Sequence, residues 1–167
     1  MAHPGGRQGL GTRCAALVIL ASALLASGAE AAVCARESER PALNARVLQT
    51  QLMVAALSCG EKARYNGFVK KFGGELAARG RTLISMFDRA YGRGGKTEMN
   101  RFVTSLANDA SSRSLASDQF CEETAVLFDT LERIEPSLLS ELAENQPFAE
   151  THGVDSCRRQ ASAVGRK

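Results

Sequence analysis

The stretch VAALSCGEKARYNGF, residues 54–68, ends one apolar run and begins another, and the junction between them decides the fold. Cys59 stands directly before Gly60, a residue typical of the left-handed cap that ends a helix. A second run with helical spacing starts at Tyr65. We therefore predict a corner between two helices, with Cys59 as the last core-facing residue of the first. Whether Cys59 is a reactive centre, a metal ligand or half of a disulfide depends on its compartment and partners.

The N-terminal segment predicts the compartment. Two arginines precede an uncharged apolar stretch over residues 15–25, and a small–x–small triplet ends at Ala31. This stretch is about half of the roughly 20 residues that a transmembrane helix needs. The pattern is typical of a secretory signal peptide over residues 1–31, with cleavage after Ala31 or Ala32. We expect an exported protein, periplasmic or extracellular, with no stable membrane span after cleavage.

The cysteines predict disulfides. Cys14 leaves with the signal peptide, and the even number that remains in an oxidising compartment favours two bridges. A helix over residues 41–59 is about 27 Å long, whereas the chain from residue 34 to residue 41 reaches at most about 24 Å. A bridge between residues 34 and 59 is therefore disfavoured. In an up-down-up-down bundle the end of the first helix and the start of the fourth lie at the same end of the molecule, and these places hold Cys59 and Cys121. Of the three possible pairings we therefore predict Cys59–Cys121 with Cys34–Cys157.

Apolar stripes with helical spacing occupy most of the mature chain, and no segment alternates over strand length. The second helix contains the Gly73-Gly74 pair, where we expect a bend. Short links between long amphipathic helices favour antiparallel neighbours. The prediction is an all-α antiparallel bundle of four main helices plus a short fifth over residues 32–148, stapled by disulfides. Residues 149–167 then form a polar tail that contains Cys157. The predicted helices cover residues 41–59, residues 62–91, a segment starting at Thr97, a segment starting after Ser117 or Asp118, and a short one starting at Pro136.

One motif resembles a phosphate-binding loop. The sequence AYGRGGKT, residues 90–97, ends in Gly-Lys-Thr and has alanine in place of the first glycine. A true loop of this kind follows a buried parallel strand, whereas the residues before it continue a helical stripe. We interpret the motif as a glycine-rich connector with Thr97 as the N-cap of the third helix.

The sequence offers no set of catalytic, cofactor-binding or metal-ligating residues that we can name. His152 is the only histidine after the signal peptide, and we expect it to be solvated in the polar tail. Glu37-Ser38 resembles the glutamate–serine step of exported cell-wall hydrolases, but it lies in a charged segment that we place outside the core. The other candidate carboxylates fall on faces that we expect to be solvated: Glu122, Glu123, Glu141 and Glu144.

Charge and composition narrow the function classes. The formal net charge is only +3, which supports no electrostatic argument for nucleic-acid binding. Our leading hypothesis is a non-catalytic binding, accessory or stress-related protein whose partner is another exported protein or a small apolar ligand. One alternative is a lipid or small-molecule carrier with a cavity among Leu76, Gly80 and Leu83. A third hypothesis is a carboxylate-dependent cell-wall hydrolase.

Overall fold

The computed structural model describes residues 33–157, so the predicted signal peptide lies outside the described residues. Two of the four links between the described helices contain a short 3-10 turn, and two residues near each end of the described chain pair as strands. The bounds are β1 Cys34–Ala35, α1 Arg40–Ser58, α2 Lys62–Tyr91, α3 Gly95–Ala116, α4 Phe120–Arg133, α5 Leu139–Glu144 and β2 Asp155–Ser156. None of the helices within this range combines the length and apolar character needed to cross a membrane.

Helix α1 is the central element and is buried around most of its circumference. It packs against α2, α3, α4 and α5. The helical spacing places Arg46, Gln49 and Thr50 opposite the apolar stripe of α1 and so predicts an outward polar face there. This prediction is wrong for Thr50, which is buried. The Thr50 hydroxyl donates to the carbonyl of Arg46 at 2.8 Å, so its burial leaves no unmade hydrogen bond. With only two charged residues in its 19, α1 has the composition of a helix enclosed by others.

Two apolar clusters fix the direction of α2 relative to α1. In the first cluster, Leu52 and Ala55 of α1 lie with Phe68 and Phe72 from the beginning of α2. In the second cluster, Leu43 from the beginning of α1 lies with residues from the end of α2, among them Leu83, Met86 and Phe87. The two helices therefore run antiparallel, and the corner at Cys59-Gly60 joins them as predicted. Gly60 has a φ of 80°, a conformation that suits glycine.

Helix α2 continues without interruption through Gly73 and Gly74. The prediction of one long helix is therefore confirmed in its extent. A methyl group added at either position would meet nothing within 4 Å. Neither glycine is required by a neighbouring element.

Helix α3 begins at Gly95, two residues before the predicted N-cap Thr97. The chain leaves α2 through Gly92, whose φ is 54°, and makes a 3-10 turn over Gly92–Gly94. A Cβ on Gly95 would lie 2.9 Å from both the Cα and the backbone nitrogen of Asp88. The glycines of the AYGRGGKT motif therefore serve a tight link between two helices, and α2, rather than a strand, precedes them.

Two disulfides connect the described chain, Cys34–Cys157 and Cys59–Cys121, which confirms both predicted pairs. The all-α class is confirmed as well. The antiparallel bundle arrangement of all four main helices stays a prediction.

The segment after α5 folds back onto α1 through the 3-10 turn Ala149–His152. It ends in β2, which pairs in parallel with β1. Each strand has only two residues, which is too short for an alternating pattern to be visible in the sequence. The neighbouring Cys34–Cys157 bridge holds the two chain segments together. His152 is buried in this segment, so the prediction that it is solvated in a polar tail is wrong.

Candidate functional site

An apolar groove of about 410 Å³ lies between α2 and α4. This volume is within the range of small-molecule sites, roughly 300–1,000 Å³. Its floor consists of three aromatic rings and one leucine, and its rim carries three charged side chains. The lining residues are Phe68, Phe72, Phe128 and Leu131 in the floor, with Ala63, Arg64, Gly67, Lys71 and Glu132 around it.

Arg64 forms one side of the groove. Its guanidinium pairs with Asp129 and, at 2.9 Å, with Glu132, and it donates to the carbonyl of Ala125 at 3.3 Å. Burial acts to lower the pKa of Arg64, but the hydrogen bonds to the two carboxylates outweigh it and raise the pKa above its ordinary value. The guanidinium lies 5.2 Å from the ring centroid of Phe128. The positive charge of Arg64 is therefore compensated by two carboxylates of α4, those of Asp129 and Glu132.

Lys71 forms the opposite side. Its ammonium group donates to the last carbonyls of α4, at 3.1 Å to Leu131 and 2.8 Å to Glu132. It also lies 5.5 Å from the ring centroid of Phe72. Within residues 33–157 it forms no ion pair at 4.0 Å or closer. Lys71 therefore presents a charge balanced only by the partial charges of two carbonyl groups.

Gly67 leaves the groove open between these two cations. Arg64 is three residues before it and Lys71 four residues after it, so all three lie on one face of α2. A Cβ on Gly67 would meet nothing within 4 Å. The missing side chain therefore leaves a gap in the rim, beside the apolar floor.

The groove is not the cavity that the sequence predicted among Leu76, Gly80 and Leu83. Leu83 is buried in the second cluster, and Leu76 packs against the first. A Cβ on Gly80 would meet only the Arg46 guanidinium, at an ordinary 3.8 Å. The open space lies nearer the beginning of α2. The sequence signal that marks it is Gly67 placed directly before Phe68.

His152 is the second unusual feature, because its side chain is only 4% exposed. Its Nδ1 accepts a hydrogen bond from the backbone N–H of Val154 at 3.0 Å. Its Nε2 has no hydrogen-bond partner among residues 33–157 and lies 3.8 Å from Glu150. Burial lowers the pKa of His152; Glu150 opposes this shift and Arg40 adds to it. The histidine is therefore held neutral, and a proton on Nδ1 would break the bond to Val154.

We expect the buried His152 to make stability fall under mild acid. Because the folded pKa lies below the ordinary value, the unfolded chain binds the proton first as the pH decreases. The stabilising contribution is complete well above about pH 6.5 and is lost as the pH falls below it, towards the folded pKa. Urea midpoints measured between about pH 7.5 and pH 5 should show this fall.

The matched control is His152→Asn, which retains an acceptor for Val154 but cannot titrate. The variant should lose much of the pH dependence of the midpoint in that interval. An identical pH dependence in both proteins would contradict the assignment to His152.

The charged segment near the beginning of the chain is partly buried, contrary to prediction. Glu39 accepts a hydrogen bond from the backbone N–H of Arg36 at 2.8 Å and pairs with Arg89 at 2.7 Å. These bonds compensate for its burial. The adjacent Glu37 and Ser38 are exposed.

The carboxylates considered for hydrolysis lie on the surface. Glu37 and Glu144 both line a wide cleft of about 790 Å³, together with Arg36 and Arg40. Both are exposed, whereas a general acid at a glycosidic bond is tuned by partial burial. The other three candidates, Glu122, Glu123 and Glu141, are exposed as well.

In the described part of the chain, no group of three or more His, Cys, Asp or Glu side chains is placed to hold a metal ion. No protein-family model matches this chain, and neither does any curated protein or solved structure. The site must therefore be interpreted from its own geometry. Of the two openings described above, the groove between α2 and α4 is the one with an apolar, aromatic floor.

Proposed function

We propose that the protein is an exported, non-catalytic binding protein that holds the apolar part of a small ligand in the groove between α2 and α4. The observation that carries this proposal is the gap at Gly67 beside an apolar floor. Aromatic and aliphatic side chains with a few polar groups at the edge are typical of ligand sites. The groove therefore favours the small-ligand alternative over an accessory role.

Export is part of the proposal and is supported by two separate features. The first thirty-odd residues have the pattern of a signal peptide. The folded chain contains two disulfides, which persist in oxidising compartments. Detection of the protein in the cytosol, with residues 1–31 retained, would contradict export.

The floor of the groove is largely covered. Phe68 is 4% exposed, and Phe72, Phe128 and Leu131 are 0–2% exposed. We expect a ligand to enter beside Gly67, between the side chains of Arg64 and Lys71, where the helix has no side chain of its own. The aliphatic stems of Arg64 and Lys71 can pack along an apolar ligand while their charged ends stay in water, and insertion removes apolar surface from water, which favours binding.

We predict that Gly67→Leu abolishes the binding of a small apolar probe. The leucine side chain occupies the gap in the rim, while the helix gains from the loss of glycine, by about 0.5–1 kcal/mol. The variant should therefore fold and yet fail to bind. Decanol is a suitable neutral probe, and titration calorimetry measures its affinity without needing tryptophan, which the chain lacks.

The matched control is Gly74→Leu. Gly74 lies in the same helix and also has open space at its Cβ, but it does not line the groove. This variant should bind decanol as the unmodified protein does. If both leucine variants bind decanol as tightly as the unmodified protein, the groove is not the binding site and the proposal is wrong.

A further inference from the structure

We propose that the natural ligand of the groove is an anionic amphiphile, an unbranched aliphatic carboxylate whose head group pairs with Lys71. This inference rests on the proposed function, because it specifies the ligand of the same groove. Three properties of the rim lead to it: the sign of the uncompensated charge, its position beside the apolar floor, and the length of the groove.

Of the three charged side chains in the lining, the one without a carboxylate partner among residues 33–157 is a cation, Lys71. Three charged side chains line the groove, and two of them, Arg64 and Glu132, pair with each other at 2.9 Å. Asp129 also pairs with Arg64, outside the lining. Lys71 keeps its charge facing the two α4 carbonyls and solvent. Its ammonium group has three donors, and the two carbonyls use two of them.

The position of Lys71 suits the junction between a head group and an apolar chain. Its ammonium group lies 5.5 Å from the ring centroid of Phe72, at the end of the aromatic floor. A carboxylate on the third donor would therefore place the first carbons of the ligand against that ring. A cationic head at the same place would meet the ammonium group itself, and a neutral head would leave the lysine without a counter-charge.

The length of the groove suits a chain of medium length. Along α2 its lining runs from Ala63 to Phe72, nine residues apart, which is about 14 Å at 1.5 Å per residue. At the Arg64 end, Arg64 and Glu132 pair with each other within the lining, and the surplus negative charge, that of Asp129, lies outside it. That end therefore suits the uncharged end of the ligand rather than its carboxylate. A saturated fatty acid such as decanoate fits these constraints.

The test compares decanoate with decanol in calorimetric titrations of the full chain near neutral pH. Lys71→Gln retains a donor for the α4 carbonyls but removes the charge. We expect it to weaken decanoate binding about threefold to fivefold, as for an exposed ion pair, and to weaken decanol binding by a clearly smaller factor, because decanol carries no charge for Lys71 to pair with. Lys70→Gln, which removes a neighbouring exposed charge outside the groove, should change neither affinity.

Decyltrimethylammonium is the third probe and has a cationic head group on a chain of the same length. It should bind the unmodified protein more weakly than decanoate. Added salt should narrow that difference because the lysine is exposed. Equal effects of the two lysine substitutions on decanoate, or an equal loss for decanol in Lys71→Gln, would overturn the carboxylate assignment. Binding of decanol that requires the gap at Gly67, without any preference for decanoate, would leave the proposed function intact and overturn only this inference. If Gly67→Leu abolishes the binding of neither decanoate nor decanol, both the proposed function and the carboxylate assignment are wrong.

Discussion

Replacing Cys59 and Cys121 together by alanine is expected to lower the free energy of unfolding by about 4 kcal/mol. The disulfide joins the end of α1 to the beginning of α4 across a sequence separation of 62 residues. Without it, the unfolded chain regains the conformational freedom that this loop constraint removes. Since domains of this size are stable by roughly 5–15 kcal/mol, the loss is a large fraction of the total.

Urea unfolding followed by the helical circular dichroism signal measures this loss. The matched comparison is the double alanine variant of Cys34 and Cys157, whose separation of 123 residues corresponds to about 5 kcal/mol in the same entropy model. A loss below about 1 kcal/mol for the Cys59–Cys121 pair would show that the bridge does not constrain the unfolded chain as this model requires.

Substituting Gly95 by alanine is expected to lower the free energy of unfolding by about 2 kcal/mol. The added methyl would lie 2.9 Å from the Cα and the backbone nitrogen of Asp88, and it would also contact the Asp88 carboxylate. Because two of these atoms belong to the backbone of α2, the contact cannot be relieved by rotating a side chain. The two helices must move apart, and this cost exceeds the gain of about 1 kcal/mol from replacing a glycine in a helix.

Gly94→Ala is the matched control. Its Cβ would meet only the Cβ of Tyr91, at an ordinary 3.8 Å, so its unfolding midpoint should stay close to that of the unmodified protein. The same urea experiment serves both variants. If Gly95→Ala were as stable as Gly94→Ala, the close approach of α3 to α2 would be wrong.

The helix corner and the disulfides were predictable from the helical spacing of apolar residues and from the maximum length that a chain segment can span. The register of two helices places Cys59 at the end of α1 and Cys121 near the beginning of α4, while the length of α1 disfavours a bridge from Cys34 to Cys59. These arguments depend on helix geometry, which the sequence specifies locally. The start of α3 was misplaced at Thr97 because the contact between Gly95 and Asp88 depends on how two helices meet.

Tertiary surroundings explain the remaining differences. Thr50 and His152 are polar, so the sequence predicts that both are exposed to solvent. Both are buried in the structure, where other elements pack around α1. The position of Cys157, five residues after His152, was the available signal that the tail returns to α1. The groove depends on the position of α4 beside α2, which no local pattern specifies. The sequence signal for the groove was a glycine, Gly67, directly before a core phenylalanine, Phe68.

The most direct test of the proposed binding site is a nuclear Overhauser measurement between decanol and the protein. With the aromatic side chains assigned, the methylene protons of decanol should show contacts to the ring protons of Phe68, Phe72 and Phe128. The Gly67→Leu variant should show none of these contacts at the same probe concentration. Contacts confined to other residues, or contacts to these three rings that persist in Gly67→Leu, would contradict a binding site in the groove between α2 and α4.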